Sequence, residues 1–254
     1  MAKKLIFFDI DGTLISHVGK SHIPEPTVQA VKGLIKNGHV PAIATARNLA
    51  LTRKIAAFFD IDIVVCCNGA HVACLAAGRD IYGTWLSDDF TREFRTEASS
   101  ISKQAYALDA EHVYTDWNDV FLDAFIVEQA GAGGKKKLNS MQHAQLAYVF
   151  STPPREWVRR DDVDAIGATG HTEFRPRGVS KWSGIVLASA DLGFDFEDIV
   201  AVGDGVNDLE MVENACLGIA VGGANEGLKS VADLVTDDID EGGIFSAFSS
   251  LGMV

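Results

Sequence analysis

Between its fifth and sixty-seventh residues the chain repeats one short pattern. A continuous apolar run, Leu5 to Phe8, precedes a polar stretch. Behind Pro26, apolar residues then recur at helical spacing, at Val28, Val31, Leu34 and Ile35. Asn37 and Gly38 supply a C-terminal stop. Val40–Ala44 is a second apolar run, Leu49–Phe59 a second helical pattern, and Ile63–Cys67 a third run. Uninterrupted apolar strands are expected where both faces are covered. Strands alternating with helices predict a parallel, doubly wound sheet.

The rhythm breaks from about Tyr82 to Arg177, where Trp, Tyr and charged residues become denser. Here "QAGAGGKKKLNS" reads as a flexible loop, and "STPPREWVRRDD" carries prolines suited to a helix N-terminus. After "RPRGVSK" the rhythm returns. It predicts a helix over Trp182–Leu192, a strand over Ile199–Val202 and a helix over Asp208–Asn214. Strands over Leu217–Val221 and Leu234–Val235 and a last helix over Ile244–Leu251 follow. The expected fold is α/β: a Rossmann-like, doubly wound core from residues 1–82 and 178–254, split by an inserted α+β cap over residues 83–177.

Composition narrows the partners. The 254 residues, 47% hydrophobic, suffice for one large core or two domains. A formal net charge of -13 argues against nucleic acid and anionic membranes. A small anion in a locally positive pocket stays open. No apolar run approaches the roughly 20 residues of a spanning helix, and Asp9 cuts the first run too early for a signal peptide. Cys66, Cys67, Cys74 and Cys216 form no CxxC pattern and read as reduced thiols, so a cytoplasmic location is expected.

The chemistry lies at the strand ends. Ligands of such sheets bind outside the carboxyl ends of the strands. Asp9 and Asp11 follow the first strand, Thr45 the second and Asp204 a later one, with Asp208 near the next helix. Residues i and i+2 of an extended chain point to one side, so the Asp9 and Asp11 side chains are expected to converge. Gly12 then allows a sharp turn or a close ligand approach. Clustered carboxylates need a cation or protons. With oxygen ligands alone and no His or Cys in these motifs, Mg²⁺ fits better than zinc.

"DIDGTL", "ATAR", "GVSK" and "GDGVND", in this order, resemble the haloacid dehalogenase superfamily, and the place of the insertion resembles its Cof-type, class IIB phosphatases. The resemblance spans essentially the whole chain, specific in the core and loose in the insertion. It implies a Mg²⁺-dependent phosphatase with Asp9 as nucleophile. Asp11 would be general acid and base and would lend its carbonyl to the metal. Thr45 and Lys181 would hold the phosphate, Asp204 would ligate Mg²⁺, Asp208 would stand behind it, and Asn207 would lie beside both. Gly12, Ala46, Arg47 and Asn68 join the expected phosphate- and substrate-binding set; the backbone N–H groups after Asp11 would hold further phosphate oxygens. Arg47 is expected on a substrate phosphate rather than on a carboxylate of the site. Asn68 fits a substrate contact and a turn residue equally. Ala46, where relatives usually have Gly, and Trp182, where Gly is frequent, depart from the pattern.

The insertion offers weaker candidates. Lys135–Lys137 read as a solvated loop, Arg159 and Arg160 as a solvent-facing helix with local ion pairs, and His171 as a surface or packing residue. Trp85, Trp117 and Trp157 read as packing of the cap. A domain tethered twice beside the acids would act as a lid, so the expected partner is a small phosphorylated metabolite such as a sugar phosphate. The chain is expected to be a monomer or weak homodimer. A phosphomannomutase-like phosphotransferase and a non-catalytic sugar-phosphate sensor are the competing classes.

Overall fold

The structure, a computed structural model, describes residues 2–168 and 170–254. In chain order the elements begin β1 (Leu5–Phe8), α1 (Glu25–Lys36), β2 (Val40–Ala44), α2 (Leu49–Phe58), β3 (Ile63–Cys66), β4 (His71–Cys74) and β5 (Arg79–Gly83). The insertion holds α3 (Asp88–Ile101), β6 (Tyr106–Leu108), β7 (Val113–Thr115), α4 (Val120–Ala130) and β8 (Lys135–Lys136). It continues with β9 (Leu146–Val149), α5 (Arg155–Val158), β10 (Val163–Ala168) and β11 (His171–Pro176). Last come α6 (Lys181–Leu192), β12 (Ile199–Gly203), α7 (Leu209–Asn214), β13 (Leu217–Ala220), α8 (Glu226–Val231), β14 (Leu234–Val235) and α9 (Gly243–Ser250).

The described strands form two sheets. The larger runs β14-β13-β12-β1-β2-β3-β4-β5, and the smaller β10-β11-β9-β6-β7-β8. From β14 to β3 every pairing of the larger sheet is parallel. This is the doubly wound α/β core that the alternating pattern predicts. Its central strands are buried throughout, which is why they read as unbroken apolar runs. β4 and β5 extend the sheet antiparallel, as a hairpin the apolar pattern did not mark. β5 is an edge strand with exposed Arg79 and Asp80, so no alternation distinguishes it from a loop. Among the described residues no helix is long and apolar enough to cross a membrane.

Local chemistry fixes the helices that carry the site. Asn48 caps α2 by accepting the Leu51 N–H, and Ser180 caps α6 through a reciprocal box with Ser183. The second cap places Lys181 at the first position of α6. Trp182 beside it is partly buried against the main core.

The insertion has its own core around Phe90, Phe94, Phe174 and Trp157. Trp157 is at its centre, as expected for a packing residue, but Trp85 is 53% exposed. The lysine-rich stretch is not wholly loop. Lys135–Lys136 form β8, parallel to β7, and the Lys135 ammonium binds the Trp117 carbonyl at 2.8 Å and pairs with Asp123. Glycines hid this strand from propensity, and tertiary pairing supplies it. Arg160 lies past the end of α5 rather than on a helix; it pairs with Glu93 and Asp162 over the Phe90 ring.

The turn between β3 and β4 meets the second passage between core and insertion. Gly69, at φ +100°, lies so close to the second passage that a Cβ would stand 1.9 Å from the Ser180 carbonyl oxygen. Gly69→Ala should therefore cost roughly 2–4 kcal/mol in chemical denaturation, through overpacking against backbone and a strained φ. Gly178→Ala, at φ +72° but in open space, should cost only about 1 kcal/mol. Equal losses would contradict a tight crossing at Gly69.

Candidate active site

Lys181 is fully buried. Its ammonium stands 2.8 Å from Asp9 Oδ1, just beyond β1, and 2.6 Å from Asp208 Oδ1. Asp208 Oδ2 accepts the backbone N–H groups of Asp204 at 2.9 Å and Gly205 at 2.8 Å. Both oxygens of Asp208 are thus occupied, and this side chain braces the loop after β12 against Lys181. The Thr13 hydroxyl donates to Asp204 Oδ1 at 2.8 Å.

The charges do not cancel. Burial pushes the Asp9 carboxyl up to about 8, with Asp208 and Asp204 adding to the rise and Lys181 opposing it. Asp204 is raised to about 6, first by burial and then by Asp208. Burial works against the Lys181 ammonium, but Asp208 and Asp9 outweigh it and hold the proton more firmly than usual. Carboxylate oxygens of Asp9, Asp204 and Asp208 lie within 4.8 Å of one another. The second oxygens of Asp9 and Asp204 have no hydrogen bond among the described residues. Hard carboxylate oxygens with excess negative charge fit a small divalent cation that keeps its waters. They do not make a zinc site.

Gly12 makes the sharp turn expected of it and has a second task. Its N–H donates to the Ile15 carbonyl at 2.9 Å, and the Thr13 N–H is spent on Ile10 at 3.3 Å, so the turn uses these donors itself. At φ +91°, a Cβ on Gly12 would lie 2.2 Å from Asp204 Oδ2. The missing side chain is what lets Asp204 approach the first loop.

Asp11 does not converge with Asp9. The tight turn after Asp9 breaks the extended geometry that would align them, and the candidate cation cluster among the described residues lacks Asp11. Its carboxylate instead accepts a fork from Arg47, Nε to Oδ2 at 2.8 Å and Nη2 to Oδ1 at 2.5 Å. His17 Nε2 lies 3.0 Å from Oδ1. Burial raises this carboxyl, yet Arg47 and His17 outweigh it and the net shift is downward. Arg47 thus grips a carboxylate of the site; the ring of Phe125 on α4 backs its guanidinium at 5.2 Å.

Thr45 is buried beyond β2, and its hydroxyl oxygen accepts the Arg47 N–H at 3.1 Å. Ala46 lines the cleft beside Asp11. Asn68, at φ +49°, is fully buried and has its side chain engaged at both ends. Its amide donates to Glu173 Oε2 on β11 at 2.8 Å, and its oxygen accepts from Asn207 at 3.2 Å. These two bonds tie the core to the insertion.

Two joined cavities separate the sheets. One, about 500 Å³, is lined by Asp11, His17, Arg47, Trp117 and Phe125 among others. The second, about 470 Å³, has His171, Glu173 and Asn207 in its wall. They share Ala46, Tyr106, Tyr148 and Phe150. His171 packs, as expected, on the Tyr148 and Phe150 rings at 5.6 and 5.3 Å, but it also lines this cleft. A larger cavity of about 680 Å³ lies between β5 and the insertion; only the first of the joined cavities reaches Asp11, and Asp9, Asp204 and Asp208 line none of the three. The motif reading missed Thr13, His17 and Glu173. Thr13 could have been found within "DIDGTL", whereas His17 and Glu173 reach the site only through folding.

A model of the haloacid dehalogenase-like hydrolases matches residues 6–152 and 165–248. The chain is 31% identical over 274 residues to "Putative phosphatase YkrA" of Bacillus subtilis, covering 100% of both proteins. It is 24% identical to 5-amino-6-(5-phospho-D-ribitylamino)uracil phosphatase YcsE of the same organism, over 96% of this chain and 94% of the relative. A hypothetical protein of Geobacillus kaustophilus superposes with a TM-score of 0.83 at 29% identity, covering 100% of both chains. The subclass IIB sugar phosphatase BT4131 shares the fold at a TM-score of 0.83 and 23% identity, over 99% of this chain and 100% of that one. By the family model and by its likeness to these relatives, the chain belongs to the haloacid dehalogenase-like hydrolases.

Proposed function

We propose that this protein is a Mg²⁺-dependent phosphatase that hydrolyses small phosphomonoesters through an aspartyl phosphate on Asp9. The observation that carries the reading is the buried Lys181 ammonium between Asp9 and Asp208, with Asp204 beside them at the strand ends. Relatives named as phosphatases support the same class. Cytoplasmic location and action as a monomer or weak homodimer belong to this reading.

The free oxygen of Asp9 would attack phosphorus and form an acyl phosphate as the bond to the leaving oxygen breaks. Lys181 fixes the other Asp9 oxygen and supplies positive charge where an anion meets an anion. Asp204, the Lys181-bound oxygen of Asp9 and the Asp11 carbonyl would hold the Mg²⁺, with Asp208 behind them; bound there, the ion would offset charge building on the phosphoryl oxygens. Thr45 and the Ala46 amide would hold further phosphoryl oxygens. Asp11 would protonate the leaving oxygen, then accept a proton from the water that attacks phosphorus and frees Asp9. Asp11 is an anion while Arg47 grips it, so its turn as an acid requires Arg47 to move off, toward the substrate.

Asp9→Asn should abolish turnover of p-nitrophenyl phosphate with the fold intact by circular dichroism. Asp11→Asn should slow it by roughly 10²–10⁴-fold. An active Asp9→Asn enzyme, or full activity after verified metal removal, would refute the reading.

The raised acids also set a pH dependence. Asp9 and Asp204 keep protons in the folded protein that the unfolded chain has released, up to about pH 8 and about pH 6 respectively. Stability of the metal-free protein therefore falls as pH rises from about 4 toward 8, because the native state binds more protons there. Asp11, shifted downward, acts below this window. Mg²⁺ should raise the melting temperature more at pH 8 than at pH 5. An equal or larger shift at pH 5 would contradict a cation that replaces those protons.

A further inference from the structure

The loop after β1 brings a histidine onto Asp11. His17 Nε2 lies 3.0 Å from Asp11 Oδ1, and His17 Nδ1 lies 2.9 Å from the Ser21 hydroxyl oxygen. A carboxylate only accepts hydrogen bonds, so Nε2 is the N–H donor of this pair. The Ser21 hydroxyl can donate to Nδ1, which keeps the hydrogen on Nε2.

The loop is built to hold that ring. Ser16 and His22 exchange backbone hydrogen bonds at 2.9 and 3.1 Å and so close the segment between them. Asp240 clamps both ends: its Oδ2 accepts the Ser16 hydroxyl at 2.7 Å, and its Oδ1 lies 3.2 Å from His22 Nε2. His17 and Ser21 are the first and last residues of the closed segment, and both line the 500 Å³ cavity with Asp11 and Arg47.

Arg47 and His17 divide the oxygens of Asp11 unequally. Arg47 reaches both, whereas His17 reaches Oδ1 alone. Once Arg47 moves onto substrate, Oδ2 is bare, and His17 is the one remaining side-chain partner of this carboxyl among the described residues. A general acid must stay within hydrogen-bond reach of the leaving oxygen. A carboxyl at the lip of a cleft, with no partner, would turn freely about its side-chain bonds.

We propose that His17 is the positioning residue of the general acid: backed by Ser21, it keeps Oδ1 of Asp11 engaged when Arg47 leaves, so that Oδ2 meets the leaving group in the cleft. Oδ2 then gives its proton to the leaving oxygen as that oxygen parts from phosphorus, and Asp11 returns to the anion. This rests on the phosphatase reading.

The test uses the full chain with Mg²⁺ and two esters, benzyl phosphate and p-nitrophenyl phosphate. Their leaving groups are alike in size and flatness, but benzyl alcohol needs a proton to leave, whereas p-nitrophenolate departs readily as an anion. His17→Ala should lower the ratio of kcat/KM for benzyl phosphate to that for p-nitrophenyl phosphate by about tenfold, the worth of one hydrogen bond to a charged group. The melting temperature should stay the same, because the His17 side chain is 50% exposed. His17→Gln, whose amide N–H can stand where Nε2 stands, should restore most of the ratio, and the shorter His17→Asn should not. An unchanged ratio in His17→Ala overturns the proposal. So do equal losses on both esters, which would place His17 in phosphate binding, and a His17→Gln enzyme no better than His17→Ala. If the unmodified enzyme turns over p-nitrophenyl phosphate but not benzyl phosphate, there is no working acid to position and the proposal also falls. No turnover of either ester would instead bring down the phosphatase reading, and this proposal with it.

Discussion

The site depends on a buried ammonium held between two carboxylates. Removing Lys181 and two aspartates from water carries a large desolvation cost, and such a pair breaks at a cost of several kcal/mol when one partner is lost. The fold meets that cost with geometry. Ser180 caps α6 so that Lys181 starts the helix. The Asp204 and Gly205 amides engage the far oxygen of Asp208, and Asp9 comes in from the end of the neighbouring strand. One cation among three acids leaves negative charge over, which is why the Asp9 and Asp204 carboxyls rise. A site so poised is unfavourable alone and suited to an ion and an anion arriving together.

The same constraint reaches the insertion. Its second passage returns to the core beside Lys181, where Gly69 of the β3–β4 turn lies against the Ser180 carbonyl. Asn68 then carries hydrogen bonds from Asn207 in the loop after β12 to Glu173 on the smaller sheet. The loop that holds Asp204 and the sheet that roofs the cleft are thus joined through a single buried amide. On the other side of the cleft, Phe125 of α4 backs the Arg47 guanidinium that grips Asp11. Both contacts give the inserted segment a direct physical hold on residues at the acids.

The core was readable because its signals are local. Strands buried on both faces give continuous apolar runs, and the helices between them carry their own caps and stops, so β1 to β3 and β12 to β14 lie within a residue or so of where periodicity puts them. The acids stood out because each follows such a strand. Reading failed where an outcome depends on a distant partner. Asp11 was expected to join Asp9 by strand alternation, but the turn and Arg47, 36 residues away, redirect it. The strand at Lys135–Lys136 exists through pairing with β7, and Glu173 acquires meaning only when β11 meets Asn68, 105 residues earlier in the chain.

The central claim is that Asp9, held by Lys181, becomes the phosphoryl carrier. It is tested most directly by rapid quench during turnover of a phosphomonoester, borohydride reduction of any acyl phosphate, and peptide mass spectrometry. Reduction of an aspartyl phosphate leaves homoserine in its place. The account predicts homoserine at position 9, appearing only when substrate is present. Homoserine at Asp11, Asp204 or Asp208 instead, or none anywhere while substrate is being consumed in a single-turnover burst, would contradict it.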